Sequence, residues 1–328
     1  MNPQQQAAAV RSGAGLFALA GRGLVAVTGS DRVRWLDGMV SNDVQSLVPG
    51  AERSGCYATL LTPQGRIVSD LHVLLRPDAF WLELAAEALA SAIERLDRYI
   101  VADDVALVDR SAEFARLALE GPAAARILAE VAGSDPSLAA DACVDLTIAG
   151  AQVLVAAFGW SGEPGFQLFA PPAAAAAVEE ALVAAGAAYA LVRADAEALE
   201  ILRIEAGVPR QGRELDDEVL PAEARLDRAV SQTKGCYTGQ EVVARMQSRG
   251  RVSHLLVGLH FADGAPPEVD QTVNAGEKKV GEVTSACISP AAGAIALAYV
   301  RHAHAEPGTS LAVAGREARV QTLPFVSV

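Results

Sequence analysis

Residues 253–323 contain five short segments in which apolar and polar side chains alternate: 253–261, 280–285, 294–300, 310–314 and 318–323. Gly and Pro separate them, and no 3.6-residue period is present. This portion therefore reads as a small all-β barrel or sandwich. The chain before it has a different character. Strand patterns at 24–28, 55–61, 66–75, 80–84, 105–108, 115–120, 152–158 and 166–170 mix with helical patterns after Asp31, at 86–100, after Gly121-Pro122, at 172–185 and at 195–205. Leu89, Ile93, Leu96 and Ile100 keep the 4-3-4 spacing of a buried helix face. Thr62-Pro63-Gln64-Gly65 places Pro second and Gly fourth, as a tight turn between two strands requires. The mixture has no strict βαβα alternation, so an α+β fold is expected and not a doubly wound parallel sheet. The boundary is placed between 250 and 251, giving parts 1–250 and 251–328.

Composition narrows the class of partner. With 27 Lys plus Arg against 40 Asp plus Glu, the net charge is −13. Such a chain lacks the clustered cations that phosphate backbones and anionic lipid surfaces require, so no direct nucleic-acid or membrane partner is expected. No 20-residue apolar helix and no basic, apolar leader are visible. Cys56, Cys143, Cys236 and Cys287 are far apart with no CxxC, so a reduced, cytoplasmic compartment fits.

Three local patterns carry chemistry. Gly13-Ala14-Gly15-Leu16-Phe17-Ala18 matches a dinucleotide-binding pattern, but no strand pattern precedes it, so packing is the better reading. His302 and His304 have no third metal ligand nearby, and a solvated loop is expected. The third pattern spans 225–251, where six cations (Arg225, Arg228, Lys234, Arg245, Arg249, Arg251) face only Asp227 and Glu241. A basic island in an acidic chain concentrates a small anion without attracting bulk polyanions. Within it, Lys-Gly-Cys-Tyr-Thr-Gly-Gln-Glu at 234–241 sets Cys236 between two glycines. A helix beginning at Gln240 would turn its amides toward an anion. Lys234 and Arg245 would favour a Cys236 thiolate. The alternative is an inert cysteine in a turn.

Residues 234–241 resemble the signature of the YgfZ-type folate-binding proteins, relatives of the glycine-cleavage T-protein (aminomethyltransferase). Residues 24–43, with Gly29-Ser30-Asp31 and Ser41-Asn42-Asp43, resemble that family's N-terminal block, and 61–70 its hairpin. Arg203-Ile204-Glu205-Ala206-Gly207 and Leu220-Pro221-Ala222-Glu223 resemble the approach to the signature. Ser285, Ser289-Pro290 and Leu323-Pro324-Phe325 resemble the T-protein C-terminal barrel. The resemblance implies a three-lobed arrangement, two intertwined α+β lobes and a β-barrel, around a tetrahydrofolate pocket. It implies a role supporting assembly or maintenance of iron–sulfur enzymes, including tRNA-modifying ones, through transient contact with them or with assembly proteins. Cys236 would be the reactive thiol and Glu205 the pterin acceptor. Asn42, Asp70, Lys234, Tyr237, Gln240 and Arg245 would complete the folate site, with no resident metal.

T-proteins that transfer an aminomethyl group resemble one another in an Asn-Ala…Lys-Asp stretch after the strand matching 80–84. Here that stretch runs Ala85 to Ala92 without Asp or Asn. Loss of transfer chemistry is therefore the first expectation, leaving a folate-binding accessory protein. A working folate-dependent one-carbon transferase, with Glu87 or another carboxylate in place of the Asp, is the alternative. A scaffold with a relic pocket is the third.

Overall fold

The computed structural model describes residues 1–50, 52–249, 252–262 and 264–327, with the side chains of 247–249 outside the described set. The expected boundary at 250/251, and Arg251 of the basic island, lie outside the described residues.

Three sheets organise the chain. A five-stranded sheet has the order Gly55–Leu61, Ile67–Leu75, Phe80–Ala85, Arg22–Thr28, Ala106–Asp109. A six-stranded sheet has the order Leu191–Arg193, Ala14–Ala18, Ala115–Glu120, Gly165–Ala170, Ala151–Ala156, Cys143–Ile148. The third closes into a barrel: His254–Phe261, Gly293–Arg301, Lys278–Ser289, Thr272–Ala275, Ser310–Val313, Arg316–Gln321. Among the described strands of these sheets, every pairing is antiparallel except that of Ala14–Ala18 with Leu191–Arg193. The fold is α+β with a closed C-terminal barrel, as the patterning indicated.

The layers follow from which faces are apolar. Helices Arg32–Met39 and Ala86–Asp97 put Trp35, Leu36, Ala88, Ala92 and Leu96 onto the outer face of the five-stranded sheet. Helices Ala124–Ala132 and Ala175–Gly186 cover the outer face of the six-stranded sheet through Ile127, Leu128, Val178 and Leu182. The inner faces meet each other, with Leu24, Leu74 and Trp81 against Leu154, Phe158 and Phe169. Helix Ala196–Ala206 begins where Asp195 caps the Ala198 amide. It docks on the barrel exterior through Ile201 and Ile204 against Leu256, Ile295 and Leu297.

The 62–65 turn forms as expected, with Gly65 at φ +76° and its amide donating to Thr62 O at 2.9 Å. Among the α-helices and strands of the described residues, five lack a counterpart in the sequence patterns: helix Pro3–Ser12 and strands Ala14–Ala18, Cys143–Ile148, Leu191–Arg193 and Thr272–Ala275. The helix had a local signal, a capping box in which Asn2 and Gln5 bond reciprocally across Pro3. The glycines of the dinucleotide-like pattern serve packing. A Cβ on Gly13 would lie 2.7 Å from Tyr189 O, and one on Gly15 would lie 2.5 Å from Val10 Cγ2.

Candidate functional site

Where the two sheets diverge lies a cavity of about 510 Å³. Strand Ile67–Leu75 sends Asp70 and His72 to the same side, because alternate strand residues share a face. Tyr57 stands opposite His72 on the neighbouring strand. Phe158, Trp160 and Glu163 line the cavity from the connection between two strands of the six-stranded sheet. Gly207–Pro209, just beyond helix Ala196–Ala206, and Arg225 and Arg228 complete the walls.

Two hydrogen-bonded acid pairs face this space. The Tyr57 hydroxyl donates to Asp70 Oδ2 at 2.9 Å. Burial raises the Asp70 pKa, outweighing the opposing pull of Arg22, the Tyr57 bond and His72. Burial, then the Asp70 charge, drives the Tyr57 phenol well above its ordinary value. The His72 ring is stacked on Phe158 at 3.5 Å and 9°, and the Tyr57 ring lies 4.8 Å away, tilted by 30°. His72 Nδ1 lies 3.0 Å from Asp141 Oδ1, and Arg228 Nη2 donates to the same oxygen at 3.4 Å. Burial alone would raise Asp141, but the His72 bond and charge, then Arg228, bring it below the usual carboxylate value.

A charged layer lies beneath. Glu83, fully buried, pairs across the strands with His72. Its oxygens accept Arg22 Nε and Nη2 at 2.6 Å each, and Arg116 Nη2 donates to Oε1 at 3.0 Å. Burial would push Glu83 up; Arg22 and then Arg116 outweigh it and hold the carboxyl at about 2. Arg116 sits 3.7 Å from the Phe169 ring centroid, with Nε and Nη1 unpartnered. Burial brings it down to about 10.

Of the eight residues assigned from sequence to the folate site and the reactive thiol, Asp70 lines the cavity and the other seven do not, whereas Arg225 and Arg228 of the basic island do line it. Glu205 is fully buried: its Oε2 accepts Arg11 Nε and Nη2 at 3.1 and 2.9 Å, and Ser289 Oγ donates to its Oε1 at 2.5 Å. Lys234 Nζ donates to the carbonyls of Asp37, Val40 and Asn42 at 2.6, 2.9 and 2.9 Å and pairs with Asp37 Oδ1 at 3.1 Å. That ammonium closes the C-terminal end of helix Arg32–Met39, where carbonyls lack helical partners. Asn42 Nδ2 bridges Tyr57 O and Arg228 O at 2.8 and 3.1 Å. Tyr237 is buried beside Leu61, Ile67 and Leu226. Gln240 Nε2 reaches Gly235 O at 3.4 Å, and Arg245 pairs with Glu241 at 2.6 Å. Cys236 is solvent-exposed and outside the cavity wall.

The family model of the GCVT N-terminal domain matches residues 2–234, and that of the glycine cleavage T-protein C-terminal barrel domain matches 255–326. The chain belongs to the glycine cleavage T-protein family. An aminomethyltransferase of Rubrobacter xylanophilus is 35% identical over 322 residues, spanning 97% of this chain and 84% of the relative. That of Streptomyces coelicolor is 33% identical over 93% of this chain and 83% of the relative. Among solved structures, the glycine cleavage system aminomethyltransferase T from Bartonella henselae superposes with a TM-score of 0.87 at 26% identity, over 99% of this chain and 89% of that one. These relatives are named as transferases, and the likeness they show is to the T-protein family at large.

That relationship bears on the missing carboxylate. The 85–92 stretch has no Asp, yet the cavity of this T-protein relative does contain a buried carboxyl, supplied by Asp70 from the neighbouring strand. Glu87 is not among the cavity's lining residues. Sequence reading missed His72, Glu83, Arg22, Arg116 and Asp141, and it named Arg228 only as one cation of the basic island. A signal was present for the strand residues: ionisable groups at Asp70, His72, Glu83 and Arg116 interrupt runs that are otherwise apolar. Such groups are seldom buried unless paired.

Proposed function

We propose that the protein binds tetrahydrofolate in the cavity between the sheets and passes to it the carbon of an aminomethyl donor. Asp70 is the group that takes up and returns a proton. The observation carrying this reading is the buried, protonation-prone carboxyl of Asp70, fixed by Tyr57 at the cavity wall. Forming a carbon–nitrogen bond on an N–H nitrogen requires that a proton leave, and the departing amine must gain one. A carboxyl whose pKa is raised toward neutrality serves both movements better than an ordinary one.

The cavity fits a reduced pterin. Its volume falls in the range of small-molecule sites, about 300–1,000 Å³. Phe158 and Trp160 offer flat apolar walls, and Asp70 offers an acceptor for an N–H edge. Arg228, exposed at the wall, suits a glutamate carboxylate of the folate tail. Glu205 enters indirectly, by anchoring the helix from which Gly207–Pro209 run into the cavity wall. Turnover with tetrahydrofolate and an aminomethyl donor tests the reading. Asp70→Asn should lose about 10²–10⁴-fold in rate while calorimetry still detects folate. A wild-type protein that binds folate but transfers nothing would overturn it.

A second reading is favoured by one observation, the exposure of Cys236 on its own loop away from the cavity. There the thiol serves an encounter with iron–sulfur enzymes or assembly proteins. Cys236→Ser should then fail to complement a strain deficient in cluster enzymes while folding and folate affinity persist. Full complementation would return Cys236 to the loop as a bystander.

A further inference from the structure

The cavity contains a second proton-handling pair that the transfer reading leaves unused. His72 is buried, stacked on Phe158 and packed beside Tyr57, so its ring plane is fixed. Its Nδ1 is committed to Asp141 at 3.0 Å, and no other hydrogen bond reaches the ring among the described residues. A carboxylate on Nδ1 holds the proton there in the neutral ring and leaves Nε2 as the free acceptor. His72 is itself part of the cavity wall, as is Asp70 two residues earlier on the same face.

The need for a second site comes from proton accounting, and this step rests on the transfer reading above. Closing a one-carbon bridge between two folate nitrogens forms two carbon–nitrogen bonds. It breaks the bonds from that carbon to the amine and to its carrier atom. Two protons leave the folate nitrogens; one ends on the amine, which departs as ammonia, and one on the carrier atom. No electrons change hands. Two protons moving between four atoms are poorly served by one carboxyl.

We propose that His72 is the second proton carrier of the cavity and that Asp141 is the residue that positions it. Charged groups face the imidazole from each element packed against it. Asp70 faces it from its own strand, Tyr57 and Glu83 from the two neighbouring strands, and Asp141 from the 133–142 connection. Arg22 and Arg116 offset Glu83 from below, and Arg228 offsets Asp141 from above. The neutral ring takes a proton at Nε2, and the imidazolium, stabilised by Asp141, returns it.

The test is the pH dependence of kcat for aminomethyl transfer, with the tetrahydrofolate Kd measured at each pH by quenching of Trp160. His72→Gln should lower kcat about 10²-fold, flatten one limb of the profile and leave Kd within a factor of a few. Asp141→Asn keeps the imidazole but removes its negative neighbour, so the limb belonging to His72 should move to lower pH. Asp141→Glu should move it back. If His72→Gln does not fold, Asp141→Asn and Asp141→Glu carry the test. A mutant profile identical to the wild type, or a fall in rate matched wholly by weaker folate binding, overturns the inference and leaves the transfer reading standing. A wild type that binds folate without turnover overturns both.

Discussion

Arg11 Nη2 lies 2.9 Å from Glu205 Oε2, joining the first helix of the chain to the helix that docks on the barrel. Glu205 also accepts Ser289 Oγ through its other oxygen, and its backbone carbonyl takes the Phe325 amide at 2.8 Å. One residue thus ties the amino-terminal helix and the barrel together through its carboxylate, and the carboxy-terminal segment through its backbone carbonyl.

The first prediction follows from that junction. Arg11→Ala leaves a fully buried carboxylate without its cation, the situation that typically costs about 3–5 kcal/mol. Urea unfolding should show a loss of that order. A loss below about 1 kcal/mol, the range of exposed pairs, would mean that the junction is not formed in solution.

Asp70 should trade stability for function. Its pKa is raised in the folded protein, so the folded state holds that proton more tightly than the unfolded chain does. Its contribution to stability is therefore greatest at low pH and is lost as pH rises through the folded value. Where it is ionised, the buried carboxylate opposes folding. Asp70→Asn should accordingly raise the melting temperature at pH 7 while slowing transfer by the same factor of about 10²–10⁴. A lower melting temperature would show that the charge is stabilised by more than Tyr57 and Arg22.

Glu83 works in the opposite sense. Its folded value of about 2 lies below the ordinary 4.5, so its stabilisation is complete above 4.5 and disappears as pH falls toward 2. Glu83→Gln leaves Arg22 and Arg116 buried without a counter-charge and should cost about 3–5 kcal/mol. Arg116 is the surplus cation, with two nitrogens unpartnered, so Arg116→Met should be neutral or stabilising. Chemical denaturation of the two variants side by side decides this. Equal losses would show that Arg116 is an equal partner in the pair.

What the sequence revealed divides by range. Elements with local signals were legible: the 62–65 turn, the Asp195-capped helix and the alternating barrel strands. Strand Ala14–Ala18 was not, because it is defined by partners at Leu117–Glu120 and Leu191–Arg193, far along the chain. The site shows the same limit. Asp70 was named, but Tyr57, His72 and Glu83 meet it only through the register of three strands. Lys234 was read as a cation for a ligand; the carbonyls that engage it lie between positions 37 and 42, nearly two hundred residues earlier.

The two glycines that flank the Cys236 loop are not equivalent, which gives the last prediction. Gly239 has φ +85°, in the left-handed region, and a Cβ there would lie 2.7 Å from Thr62 O in the turn beneath it. Both the backbone angle and the contact oppose any side chain. Strain of this kind typically costs about 1–3 kcal/mol, so Gly239→Ala should lower stability and loosen the loop against the 62–65 turn. Gly235 has no left-handed angle, and a Cβ there meets nothing within 4 Å. Gly235→Ala restricts the unfolded chain without a clash, so it should be neutral or stabilising by about 0.4–1 kcal/mol. The pair separates a loop kept open for Cys236 from one shaped by packing on the turn. If Gly235→Ala alone impairs complementation by the Cys236 thiol at full stability, the freedom of that position serves function. If both variants merely track stability, the loop is shaped by Gly239 and the turn it covers.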